Sequence, residues 1–340
     1  MQRSLWLLAV LLVAASAIAW WRFNTGGDAG SVVVYVSHDQ VFSEPILKDF
    51  ERETGIKVRA VYDTEETKST GAMNRLIAEK NNPQADVYWA NEPVRAEVLR
   101  QRNIAAPYRS PNAEGIPAPF RGPQDYWTGF AARARVLIVR KDENPKPASV
   151  FAYSDPRWRD KAVIANPLFG TTTDQIAALF VLLGDERARN FLQSMRQNGV
   201  KLAPSNGDSA DLVARGQFAF SLVDSDDAVN RMTQGEPVSM VYPDQGADEI
   251  GCLIVPNAAV LIAGSPHPEA GKKLIDYLLS PETERKLALS DAAQIPLHTG
   301  VAAPPKLKPL ASIKVMNVDY AAVAAKLQEI QPLLKSWAGS

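Results

Sequence analysis

Val32-Val33-Val34-Tyr35-Val36 decides how this chain begins to fold. A β-branched run this short, with an aromatic inside it, suits a buried strand. Ser43, Glu44 and Pro45 then open a helix, with Ser43 as the expected N-cap and Pro45 tolerated in the first turn. Ile46, Leu47 and Phe50 form its apolar stripe, and Gly55 is placed to end it in the left-handed conformation. Lys57–Tyr62 reads as a second strand. Strand, helix and strand within about thirty residues make a βαβ unit with a right-handed parallel crossover.

The same grammar repeats outward. A helix is expected over Ala72–Lys80, a strand over Ala85–Trp89 and a helix over Val94–Arg102. Pro107–Gln124 is rich in proline and glycine and reads as surface loop. Strands are then expected at Ala134–Val139, Ala162–Ala165, Val200–Leu202, Phe218–Val223, Val238–Tyr242 and Ala258–Ile262. Helices are expected near Asp174–Leu183, Glu186–Gln197, Ser209–Arg215, up to Gln234, over Pro268–Leu279 and near Tyr320–Trp337. The class is α/β, in two lobes.

Composition narrows the function. In 340 residues, 37 basic against 38 acidic side chains leave a formal charge of −1, without the basic excess of a nucleic-acid binder. A single cysteine, Cys252, excludes an intramolecular disulfide and any multi-cysteine metal cluster, and reads as a buried strand thiol. Arg3, the apolar run Leu5–Trp21 and Ala17-Ile18-Ala19 read as a signal peptide over residues 1–21. The alternative is an uncleaved anchor flanked by Trp20-Trp21-Arg22. Residues 22–31 read as a flexible tether.

Ligands of open α/β sheets bind beyond the carboxyl ends of the strands. There the chain places His38 and Asp39, then Glu65 and Glu66, and later Asp224, Asp226 and Asp227. Carboxylates in such number suit a hard cation or an ammonium group. Gly170, Thr171 and Thr172 at one helix start, and Asn206 at another, would instead aim backbone N–H groups at an anion. Enzyme motifs are missing: there is no nucleophile elbow, P-loop, dinucleotide fingerprint or zincin helix. Ser209 reads as a helix cap, and His267 and His298 as loop histidines.

Tyr35-Val36-Ser37-His38-Asp39, Phe50-Glu51-Arg52-Glu53-Thr54-Gly55-Ile56-Lys57-Val58 and Pro83-Gln84-Ala85-Asp86-Val87-Tyr88-Trp89 together resemble the opening of ABC-importer solute-binding proteins. The chain is most similar to the group holding the periplasmic ferric-iron-binding proteins, through Ala132-Arg133-Ala134-Arg135, Asp155-Pro156-Arg157-Trp158 and Gln294-Ile295-Pro296-Leu297-His298. The resemblance implies a two-lobed periplasmic binding protein fold, type II-like, with hinge strands near Arg133–Val136 and Leu253–Ala258 and a central ligand cleft. One lobe would span 32–133 plus 256–300, the other 134–255 plus 301–340.

By the same resemblance, Arg133, the Gly170-Thr171-Thr172 turn and Asn206 hold a companion anion. His38 or Asp39 and Glu65 or Glu66 fall near metal-ligand positions, while Asp226-Asp227 stands where ferric-binding members often carry two tyrosines. The implied function is capture of iron or another metal, with or without an anion, for an inner-membrane permease driven by a cytoplasmic ATPase. The alternative is a small organic cation or zwitterion, such as a polyamine or an aminophosphonate. An exported hydrolase lacks a convincing base, nucleophile and oxyanion site. A periplasmic monomer without a cofactor is expected, its only guest the transported solute.

Overall fold

The strand that opens the chain, β1 (Ser31–Val36), sits between two parallel neighbours, β2 (Lys57–Tyr62) and β3 (Val87–Ala90). The structure, a computed structural model, describes residues 30–63 and 70–339. The signal segment at 1–21, nearly all of the 22–31 tether, and Glu65 and Glu66 lie outside the described residues. No helix among the described residues is long and apolar enough to cross a membrane.

Helix α1 (Gln40–Thr54) starts three residues before the expected cap. Asp39 is its N-cap, and the Ser43 hydroxyl lies inside the helix, donating back to the Asp39 carbonyl at 2.9 Å. A serine can cap forward or bond backward, and here it does the second. Pro45 is therefore within the helix, where it removes a backbone donor. Gly55 ends the helix as expected, with φ of 74° and its N–H on the Glu51 carbonyl.

After α2 (Thr70–Ala78) and α3 (Pro93–Gln101), the chain enters β5 (Thr128–Arg140), past a two-residue β4 (Ala105–Ala106). β5 has thirteen residues, far more than the six expected, because Arg133 and Arg135 interrupt its apolar run yet are buried within it. Its first part pairs antiparallel with β10 (Ile254–Ile262), up to Ala134 opposite Ile254. From Arg135 onward it pairs with β8 (Phe220–Asp224) and β9 (Val238–Val241). β6 (Ala162–Ala165) and β7 (Lys201–Ala203) complete the order β2-β1-β3-β10-β5-β8-β6-β7. The chain thus builds two sheet halves that share β5, one side of a two-lobed α/β fold on each.

Helices α4 (Gly170–Leu183), α5 (Asp185–Gln197), α6 (Asn206–Ala214) and α7 (Ser225–Thr233) follow the strands of the second half. α6 is capped by Ser205, whose Oγ accepts from Asp208 N at 3.1 Å, while Ser209 is an interior residue bonded back to Asn206 O. α8 (Pro268–Leu278) is as expected, but α9 (Pro281–Leu289) is additional. Its signal is the Ser280-Pro281 pair, a capping hydroxyl followed by proline at the first helical position. The last helix, α10 (Tyr320–Ala338), packs on both α3 and α4. Cys252 is fully buried as expected, bridged to Val315 just ahead of β10.

Candidate binding cavity

The carboxyl ends of β1, β6 and β8 open into one cavity of about 230 Å³. His38 and Asp39 line it from the first sheet half, and Arg133 from β5. Gly170, Thr171 and Thr172 line it from α4, Asn206 from α6, and Asp224, Asp226 and Asp227 from the β8–α7 junction. Segments nearly 190 residues apart in the chain meet here because each follows a strand of one continuous sheet.

Three helices aim their starts at this space. The N-cap residues of α1, α4 and α7 are Asp39, Phe169 and Asp224, and none of these side chains caps its own helix. These helix starts place the positive ends of three helix dipoles at the cavity wall. This partly offsets the mutual repulsion of the acidic residues there.

Asp224 is the best-held carboxylate. Its Oδ1 accepts from Arg135 Nη1 at 2.9 Å, and its Oδ2 from Arg133 Nη1 at 3.1 Å and from Thr171 Oγ1 at 3.0 Å. Burial acts to raise its pKa, but the two guanidiniums outweigh it and hold the group below the usual carboxylate range. Asp226 and Asp227 lack such partners. Burial, relieved only in part by Arg133, pushes Asp226 up to about 6, and Asp224 and Asp39 add repulsion. Asp227 is raised well above its ordinary value by burial and by its two acidic neighbours. Oxygens of Asp224, Asp226 and Asp227 lie within 4.8 Å of one another, close enough to share a cation.

Arg133 is buried, with Nη2 donating to the Asn91 carbonyl. Thr172 Oγ1 donates to Asn206 Oδ1 at 3.2 Å, and Asn206 Nδ2 to Thr171 Oγ1 at 3.0 Å. The side chains proposed for an anion therefore brace one another and the adjoining backbone.

His38 is fixed by a relay. Asn257 Nδ2 donates to the backbone carbonyl of Ala131 and, at 2.8 Å, to Gln294 Oε1. That turns the Gln294 amide nitrogen to His38 Nε2 at 3.3 Å, so this ring nitrogen is an acceptor. The ring stacks on Trp89 at 5.6 Å.

Sequence reading missed two residues of consequence. Arg135, beneath the cavity, has no exposure and organises its floor; its signal was a spacing of two from Arg133, which puts both on one face of β5. Phe169, 47% exposed, forms an apolar lip. His267 and His298 lie away from the cavity, on Asp86 and Glu284.

The polar cavity lies where one continuous sheet passes from its first half to its second. Residues 46–316 match the family of bacterial extracellular solute-binding proteins, and the chain belongs to it. Among relatives, iron uptake protein A1 of Synechocystis is 25% identical over 298 residues, covering 82% of this chain and 81% of its own. A periplasmic protein of Salmonella paratyphi A named for 2-aminoethylphosphonate binding is 27% identical over 248 residues, covering 70% of this chain and 69% of its own. The crystal structure of iron-bound HitA from Pseudomonas aeruginosa superposes with a TM-score of 0.80 at 23% identity, over 89% of this chain and 99% of that one.

Proposed function

We propose that the protein is the periplasmic substrate-binding component of an ABC importer. It captures iron or another metal ion together with a small oxyanion, and hands both to an inner-membrane permease driven by a cytoplasmic ATPase. The observation that carries this reading is that carboxylates and cationic donors line one cavity: Asp39, Asp226 and Asp227 would take the cation, and Arg133 with the start of α4 the anion. The iron-binding names of the relatives support it.

In this reading, hard carboxylate oxygens replace water around the cation, whose charge relieves the mutual repulsion of Asp226 and Asp227. His38, Glu65 and Glu66 complete the cation side. Gly170, Thr171, Thr172, Asn206 and Arg133 hold the oxyanion, while Asp224 orients Arg133. The lobes 32–133 plus 256–300 and 134–255 plus 301–340 close over the pair. The protein works as a monomer, is exported by its 1–21 signal and performs no chemistry on its cargo.

A second reading is a zwitterion such as an aminophosphonate. It is favoured by the donor set: among the described residues no tyrosine lines the cavity, so phenolate ligands are lacking. An ammonium group would sit on Asp226 and Asp227, with the phosphonate at Arg133. Native mass spectrometry with elemental analysis, on protein isolated from its own periplasm, separates the two. Stoichiometric metal with a small anion supports the first reading, and a metal-free organic mass supports the second.

A further inference from the structure

We propose that Asn257 and Gln294, neither of which lines the cavity, fix His38 there as a hydrogen-bond donor, so that the cation meets oxygen ligands only. The inference rests on the reading above for the cation, but the polarity of the relay behind His38 does not.

That polarity starts from groups that can act in one sense only. The Trp89 indole N–H, a donor, lies 3.2 Å from Asn257 Oδ1. The Ala131 carbonyl, an acceptor, faces Asn257 Nδ2. Together they fix which end of the Asn257 amide is oxygen and which is nitrogen. Its remaining N–H goes to Gln294 Oε1 at 2.8 Å, so the Gln294 amide must turn its nitrogen to His38 Nε2, at 3.3 Å. An N–H needs a lone pair opposite it, so the ring is neutral with its proton on Nδ1. Asn257, Gln294 and Trp89 are fully buried, and the His38 ring stacks on Trp89, so neither amide can turn by exchanging its partners for water.

Nε2 is thus committed to the interior. The nitrogen that His38 can offer the cavity is Nδ1, and it carries a proton. An N–H serves an oxygen, of the cargo or of a carboxylate that holds it, and cannot ligate a metal ion. His38 therefore belongs to the cation side as a donor to oxygen. Asp39, Asp226 and Asp227 offer oxygen alone, and hard oxygen ligands disfavour ions that seek imidazole nitrogen, such as nickel(II). Asn257 and Gln294 are positioning residues for this selectivity, because reversing the second amide would return a lone pair to the cavity.

The test starts with the exported wild-type protein, its three histidines labelled for nitrogen NMR. His38 should show an unprotonated Nε2 and a protonated Nδ1. Loading with gallium(III), a diamagnetic stand-in for ferric ion, should leave both as they are. The opposite tautomer, or a metal-bound His38 nitrogen on loading, overturns the inference without any variant having to fold.

A second arm uses Gln294→Glu. Its carboxylate has no donor, so one oxygen accepts from Asn257 and the other from a proton on His38 Nε2, which gives the Nδ1 lone pair to an entering cation. Nickel(II) and manganese(II), equal in charge, are titrated calorimetrically into both proteins. The added negative charge strengthens both ions alike. A newly available imidazole strengthens nickel(II) by roughly tenfold more than manganese(II), the scale on which the partner of a metal-bound histidine acts. An equal gain for both ions, or an Nε2 that stays unprotonated in the variant, overturns the role of the relay. Wild type that binds none of the three metal ions but binds 2-aminoethylphosphonate, with the tautomer as stated, overturns the metal reading while the donor role of His38 stands.

Discussion

Arg95 on α3 and Asp174 on α4 meet at 2.5 Å, each side chain only 3% exposed, and so tie the two sheet halves together behind the cavity. Glu92, fully buried, caps α3 through Val94 N at 2.6 Å and lies 3.5 Å from Arg95 Nε. Two carboxylates thus share one guanidinium. Burial and the neighbouring Glu92 raise Asp174 well above its ordinary value despite Arg95.

Removing one member of such a buried pair strands the other charge. Arg95→Met should therefore lose about 3–5 kcal/mol in chemical denaturation. Arg95→Met combined with Asp174→Leu should recover only part of that loss, because fully buried Glu92 still loses its cation and keeps only the N–H groups it caps. A single variant as stable as wild type would show that the pair bears no weight in the fold.

Asp226 should behave in the opposite way. It is half-buried, held above its ordinary pKa, and its only bond to the protein in this cluster is from the Asp227 N–H at 3.0 Å. Asp226→Ala is expected to abolish solute binding while leaving the empty protein at least as stable as wild type near pH 7. Calorimetry with ferric citrate and a thermal melt together check this. Unchanged affinity would remove Asp226 from the site.

Much of this site was readable from residue order, because strand ends and helix starts are local features. Asp39, Gly170, Asn206 and Asp224 each fall at such a junction. What sequence concealed was pairing at a distance. Arg133 and Arg135 look like interruptions of a strand until Asp224, some 90 positions on, neutralises part of their charge. Only that partner lets β5 run through both halves. Ser43 and Ser209 misled for a different reason: a hydroxyl near a helix start satisfies a carbonyl behind it as readily as an N–H ahead. α9 was not anticipated because its first turn is polar.

His298 supplies a pH dependence with a definite sign. Its Nδ1 lies 2.8 Å from Glu284 Oε2 and its Nε2 2.9 Å from the Asn112 carbonyl, both acceptors, so both ring nitrogens donate and the ring is an imidazolium. Burial acts to lower its pKa, but the Glu284 and Asn112 bonds outweigh this and raise it above 6.5. The stabilisation is complete below the unfolded value and fades as pH rises through the higher folded value. Melting temperature should fall across that interval in wild type and stay flatter in His298→Gln. Parallel curves would mean that the ring folds neutral.

The hinge should move when the cavity fills. β5 changes its partner between Ala134, opposite Ile254, and Arg135, opposite Asp224, so a single peptide bond separates the two halves along this strand. Adjacent backbone bonds are anchored on both sides: Arg135 N donates to the Leu253 carbonyl at 2.8 Å, and Ala134 N to Ser225 Oγ at 3.1 Å. The second contact involves the first residue of α7, one position from Asp224 and Asp226. Ligand drawing Asp226 toward Asp39 thus acts on a helix already bonded to the crossover, and the rotation it drives should be absorbed at Ala134–Arg135. Small-angle scattering should show a smaller radius of gyration with saturating ferric citrate than without. Ser225→Ala, which cuts the anchor and leaves every cavity residue in place, should shift the balance between the two radii. Identical radii in the empty and filled wild type would mean that the halves are already locked and the cargo enters a rigid pocket.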